Sequence, residues 1–234
     1  MSEAVTTQWI SLDPAAPAFQ GYLALPPAGK GPGLVLFQEI FGVNSHIQAV
    51  ARQYALDGFV VLAPDLFWRQ QQKVQLGYEG EQRERAIAMM KQMTPADMEA
   101  DIKTSVAALR ARPEAAGKGV GAVGYCLGGR LAYFSAAMGL VDAAVSYYGG
   151  GIHDNLDRAK SVVCPTQFHY GEKDTGIPLE AVEKVRSAMG DRAEVFVYPG
   201  AQHGFNCWER ASYDAPSAAL AHGRTLGFLA QRLF

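Results

Sequence analysis

Short runs of apolar, largely β-branched residues recur along the chain at Gly33–Phe37 and at 59–63, 120–124, 143–148, 165–170 and 194–198, each bounded by polar or glycine-rich residues. Runs that are apolar nearly throughout, and not on alternate positions only, fit strands covered on both faces. Between them the spacing turns helical, over residues 45–57, 96–112, 179–189 and 215–233. In the second of these, Met98, Ile102, Val106 and Leu109 fall on one face. Strands alternating with helices predict an α/β fold with a mainly parallel central sheet and helices on both faces. Residues 21–25 add an early edge strand, taken as antiparallel. The stretch 68–93 has no strand of its own. It is polar and Gln-rich, then helical over 81–91. Either it covers a site at the C-terminal edge of the sheet or it is a surface helix that only packs.

No repeat, low-complexity tract or linker interrupts this pattern, so residues 1–234 read as a single domain. Hydrophobic residues make up 49% of the chain, enough for a sizeable core. A net charge of −2 leaves no electrostatic footprint for nucleic acid. No apolar run suggests a membrane span, and Met1-Ser2-Glu3-Ala4 does not open a signal peptide. The expectation is a soluble cytoplasmic protein, a monomer or weak homodimer, acting on a small molecule without nucleic-acid or membrane partners. Three cysteines, Cys126, Cys164 and Cys207, make no disulfide framework. No Cys or His spacing suits a metal, so neither metal nor cofactor is expected.

The chemistry lies in Gly124-Tyr125-Cys126-Leu127-Gly128-Gly129, after a strand and before a helix expected over 130–138. This is the Gly-x-nucleophile-x-Gly elbow of α/β-hydrolases with Cys in place of Ser. The sharp turn needs glycine two residues to either side. It also puts the nucleophile at a helix N-terminus, where the dipole favours a thiolate or an oxyanion. Cys164, at a strand start before Pro165, reads as core. The fold takes its acid and histidine downstream of the nucleophile, in that order. Of His153, His169, His203 and His222, only His203 follows a strand end in a loop suited to a base, and His169 falls inside a strand as a core histidine. Between Cys126 and His203, Asp174 and Glu172 both follow the strand ending at Tyr170. Asp174 is preferred and Glu172 is read as a solvated turn carboxylate. Asp174 would hold the imidazole tautomer.

With these residues in place, the chain resembles the dienelactone hydrolase (carboxymethylenebutenolidase) family. The matching blocks are Gln38-Glu-Ile-Phe-Gly-Val-Asn44, Ala63-Pro-Asp-Leu66, the elbow, Tyr147-Tyr-Gly149 and His203-Gly-Phe205. The resemblance implies an α/β-hydrolase fold and the opening of a lactone or enol ester from aromatic catabolism, through a cysteine acyl-enzyme, to a maleylacetate-like product. It implies Glu39 as a carboxylate that takes the thiol proton, and the amides of Ile40 and Leu127 as the oxyanion hole. Arg83 matches a family arginine that holds a substrate carboxylate, with Arg85 as the substitute should Arg83 face away. Phe41, Tyr147, Phe205 and Cys207 complete the expected substrate contacts. A second family arginine has Cys207 in its place, and Ile87 stands where the family often has tyrosine. Two other readings stay open: a broad carboxylesterase or thioesterase, and a non-catalytic small-ligand-binding protein.

Overall fold

The computed structural model describes residues 4–234, so the reading of Met1-Ser2-Glu3 falls outside the described residues. Eight strands form one sheet: β1 (Thr6–Ser11), β2 (Gln20–Leu25), β3 (Gly33–Phe37), β4 (Val60–Pro64), β5 (Val120–Tyr125), β6 (Ala143–Tyr147), β7 (Thr166–Gly171) and β8 (Ala193–Tyr198). Their order across the sheet is β1-β2-β4-β3-β5-β6-β7-β8. From β4 to β8 every pairing is parallel, whereas β2 is antiparallel to both β1 and β4. Strands β3 to β7 are buried at every residue, as continuous apolar runs require. The edge strand β8 is only half-buried. The mainly parallel sheet is what the pattern predicted, and its arrangement is the α/β-hydrolase fold that the elbow and the resemblance implied.

One early assignment needs correction. Residues 20–25 do form an antiparallel strand, but it lies inside the sheet and the edge belongs to β1. The sequence of β1, Thr-Thr-Gln-Trp-Ile-Ser, lacks an apolar run because an edge strand covered on one side does not need one.

Six helices flank the sheet: α1 (Ser45–Leu56), α2 (Gly80–Gln92), α3 (Pro95–Arg110), α4 (Leu127–Ala137), α5 (Leu179–Met189) and α6 (Ala215–Leu233). Asn44, Thr94 and Asp214 start α1, α3 and α6, each side chain accepting a backbone N–H of the first turn. Helix α4 begins at Leu127, three residues before the expected Arg130, so the elbow joins strand to helix without a linker. Helix α2 is amphipathic enough to seat a small second core. Its Ala86 and Met89 pack with Phe41, Phe67, Val74 and Leu76. The stretch before it is tied down by Gln70 donating to the Met89 carbonyl, 2.9 Å, and by a Gly42–Gln75 bridge. No helix among the described residues is long and apolar enough to cross a membrane.

Candidate active site

Every parallel strand delivers its C-terminal end to the same edge of the sheet, so the loops after β3, β5, β6, β7 and β8 meet there. They bring Glu39, Cys126, Tyr148, Asp174 and His203 to one place.

The elbow is held by contacts that leave no room for side chains. A Cβ on Gly124 would stand 2.0 Å from the Gly128 carbonyl oxygen, and one on Gly128 would stand 2.1 Å from that of Phe37. Between them Cys126 adopts φ 56° and ψ −115°, a conformation that costs about 1–3 kcal/mol for a residue with a side chain. Its N–H donates to the Tyr147 carbonyl at 3.0 Å. The strain aims the half-buried thiol out of the sheet edge at the start of α4. Among the described residues neither the Leu127 N–H, a first-turn donor of α4, nor the Ile40 N–H has a backbone acceptor.

Asp174 is buried and already satisfied on one oxygen. Oδ1 accepts from the N–H groups of Gly176 and Ile177 at 2.9 and 3.1 Å, leaving Oδ2 for His203 Nδ1 at 2.7 Å. Burial opposes charge on the imidazole, but the facing Cys126, when ionised, and Asp174 together raise its pKa to about 10. The other histidines downstream of Cys126 are engaged elsewhere. His169 is wholly buried, bonded to Tyr198 and Gln167 at 2.7 Å each, and its pKa is lowered to about 3 by burial. His153 and His222 pair with Asp154 and Asp57. Glu172 does more than meet solvent: it accepts the Gly200 N–H at 2.9 Å and so braces the acid loop against the histidine loop.

Glu39 is 1% exposed, and burial raises its pKa against the lowering effect of Arg210 and His203. Oε1 pairs with Arg210 Nη1 at 3.1 Å, while Oε2 has no partner among the described residues. Arg210 was not foreseen. It lies seven residues past His203 in an irregular loop, where no period marks a position. Its one trace is Gly204, where a Cβ would sit 2.6 Å from the Arg210 guanidinium carbon. Tyr148 was missed as well. Its ring lies 5.0 Å from that of His203, and it takes a positive φ of 36°.

The remaining expected contacts divide. Arg83, on α2, lines a cleft of about 390 Å³ together with Lys173, Asp174, Gln202, His203 and Arg210. Arg85 instead hydrogen-bonds Gln71. Phe41 lies under α2 against Tyr78, ring centroids 4.4 Å apart. Tyr147, Phe205 and Cys207 have no exposed surface, and the fold does not bring them to the cleft. Tyr147 stacks on His169 and bonds Thr225 at 2.7 Å. Phe205 packs on Tyr148 and Tyr198. Burial, followed by nearby Glu39, pushes the Cys207 thiol up to about 12, so it stays neutral. Among the described residues no cluster of His, Cys, Asp and Glu could hold a metal ion.

Comparison with known proteins meets this geometry. The model of the dienelactone hydrolase family matches residues 19–233. A carboxymethylenebutenolidase of Pseudomonas sp. (strain P51) is 36% identical over 226 residues, covering 95% of this chain and 94% of that protein. One from Pseudomonas putida is 36% identical over 218 residues, 91% of each. A crystal structure from Klebsiella pneumoniae subsp. pneumoniae MGH 78578, provisionally described as a dienelactone hydrolase, superposes with a TM-score of 0.83 at 30% identity. It covers 98% of this chain and 100% of its own.

Proposed function

The chain belongs to the dienelactone hydrolase family and is a carboxylic ester hydrolase; from that premise we propose that it opens a carboxylate-bearing lactone or enol ester through an acyl-enzyme on Cys126. The observation that carries this reading is the 2.7 Å contact of His203 Nδ1 with buried Asp174, beside a cysteine strained onto the elbow. Glu39 takes the thiol proton through its free Oε2, which burial has made more basic than an ordinary carboxylate. The sulfur attacks the carbonyl carbon, and the oxyanion forms against the N–H groups of Ile40 and Leu127. Each such donor is typically worth about 3 kcal/mol in the transition state. Collapse breaks the ester C–O bond. A lactone's enolate leaves readily, and His203 supplies a proton where one is needed. Then His203 takes a proton from water, the hydroxide attacks the thioester, the departing thiolate takes back its proton from Glu39, and His203 releases its own to the product or to solvent. Asp174 keeps Nδ1 protonated so that Nε2 can do this work. Arg83 orients the substrate carboxylate from α2. The single sheet supports treating residues 1–234 as one domain.

The test is single-turnover reaction with cis-dienelactone, quenched in acid and analysed by peptide mass spectrometry. An acyl adduct on the Cys126 peptide, absent from Cys126→Ala, is the expected result. Undiminished turnover by Cys126→Ala would refute the cysteine assignment. Simple aryl esters turned over as fast as the lactone would point to a broad carboxylesterase.

A further inference from the structure

The loop that carries His203 and Arg210 also borders a second cavity, of about 380 Å³, which shares no residue with the cleft beside His203. Gln53 lines it from α1. Asn206, Trp208 and Tyr213 line it from the loop, and two alanines, His222 and Gly223 line it from α6.

Asn206 is 7% exposed, and among the described residues its side-chain amide has no hydrogen-bond partner. A buried amide left unpaired is costly, and this one lines the cavity, where a ligand can satisfy it. Trp208 and Tyr213, 42% and 41% exposed, offer two aromatic rings to the same space. Both are anchored. The Trp208 ring packs edge to face on buried His46 with centroids 4.2 Å apart, and the Tyr213 N–H donates to the Arg210 carbonyl at 3.0 Å. Gly223 lies in the interior of α6, where glycine weakens a helix relative to alanine. A Cβ there would meet nothing within 4 Å, so packing within the chain does not ask for glycine, and the missing side chain leaves room in the cavity.

The lining also sets the chemistry of an occupant. Among the described residues it holds no Lys, Arg, Asp or Glu, and the His222 imidazole faces Asp57 at 3.4 Å. A charged ligand would therefore meet no counter-charge, in contrast to the cleft beside His203 with its Arg83, Lys173 and Arg210. Aromatic rings favour a ligand with a π-face, and an amide, both donor and acceptor, suits a hydroxyl. We propose that this cavity is a second ligand site, taking an uncharged aromatic alcohol that packs on Trp208 and hydrogen-bonds Asn206. The site stands apart from the ester chemistry, but its occupant holds the loop only three residues past His203.

The experiment titrates phenol into isotopically labelled protein and follows the indole N–H signals of Trp9, Trp68 and Trp208, the last assigned from Trp208→Phe. A saturable shift confined to Trp208 is expected, with a Kd of roughly 1–10 mM for so small a ligand. Cyclohexanol, which keeps the hydroxyl and lacks the π-face, binds about three- to tenfold more weakly, and benzoate gives no saturable shift. Asn206→Leu weakens phenol about three- to tenfold. Gly223→Leu fills the cavity and abolishes the Trp208 shift, while turnover stays unchanged and Tm does not fall. No saturable shift at Trp208, phenol binding undiminished in Gly223→Leu and Asn206→Leu, or benzoate binding as well as phenol would each overturn the site.

Discussion

Replacing Arg210 by methionine isolates what the buried carboxylate of Glu39 costs the fold. Glu39 is 1% exposed, and among the described residues its charged hydrogen-bond partner is the Arg210 guanidinium at 3.1 Å. Removing one partner of a buried pair typically costs about 3–5 kcal/mol, because the other charge is left unsolvated. Two features reduce that here. The Arg210 side chain is 20% exposed, so the pair is not fully dry. Glu39 can also escape by binding a proton, since burial already holds its pKa above the ordinary carboxylate value. We therefore expect a loss of about 2–3 kcal/mol at pH 8. At about 2–4 °C per kcal/mol for a chain of this size, Tm should fall by roughly 5–10 °C.

The pH dependence gives the experiment its force. A carboxyl whose folded pKa is raised binds protons in the folded state that the unfolded chain has already released. Its contribution therefore becomes more unfavourable as pH rises through the folded value. Losing Arg210 raises that value further. The gap in Tm between wild type and Arg210→Met should then widen from pH 5 to pH 8, read by thermal unfolding in matched buffers. Glu39→Gln in the same chain removes the charge, so Arg210→Met/Glu39→Gln should regain most of the loss at pH 8. A gap independent of pH, or a double variant no more stable than Arg210→Met, would show that Arg210 acts through packing and that Glu39 bears no charge in the fold.

Other outcomes follow from the same geometry. The His203 pKa, raised to about 10, should fall toward the ordinary value in Cys126→Ala, as read from its ring proton shifts. In wild type, the stability this pairing gives is fully present below the unfolded value near 6.5 and lost as pH rises through about 10, so the alkaline limb of the unfolding profile should soften in Cys126→Ala. His169→Ala should keep its turnover per folded molecule but unfold about 2–4 kcal/mol more easily, since it leaves Tyr198 and Gln167 without their buried partner; loss of turnover in the folded protein would reopen the choice of base. Cys207→Arg should destabilise, because that buried position would receive a second guanidinium beside the first; an unchanged Tm would show that the loop has room for both.

The parts of this site that were legible in the sequence are those where the backbone restricts the residue type. The elbow could be read because Gly124 and Gly128 lie against carbonyl oxygens that exclude any side chain. Asp174 and His203 could be read because a parallel sheet sends every strand end to one edge. Direction within a loop is harder. Tyr147 ends β6 and, by strand alternation, turns its side chain into the sheet face against His169, whereas Tyr148, one residue on, turns toward His203. Both are tyrosines in one motif, so composition could not separate them. Arg210 lies in a loop with no period, and its contact with Glu39 spans 171 positions of sequence. The edge strand β1 escaped notice because a strand covered on one side can be built from threonine, glutamine and serine.

The cysteine at position 207 acquires a different meaning beside Arg210. As a departure in sequence it looked like the loss of one positive charge from the substrate pocket. In the fold, residue 207 has no exposed surface and lies near Tyr78 and Glu39. Glu39 can satisfy one guanidinium at Oε1, and Arg210 already supplies it. A second cation at 207 would have no carboxylate of its own and would be paid for in desolvation. The neutral thiol fills that space while the charge stands three residues farther along the same loop, where Gly204 leaves it clearance. That loop also carries the base, and Glu209 accepts the Ser45 hydroxyl at 2.9 Å to hold it against α1. One anchored segment thus positions both the His203 imidazole and the guanidinium that lowers the proton affinity of Glu39. A change in the setting of this loop must alter both, whereas a change at Arg83, held by α2, leaves the His203–Asp174 pair in place.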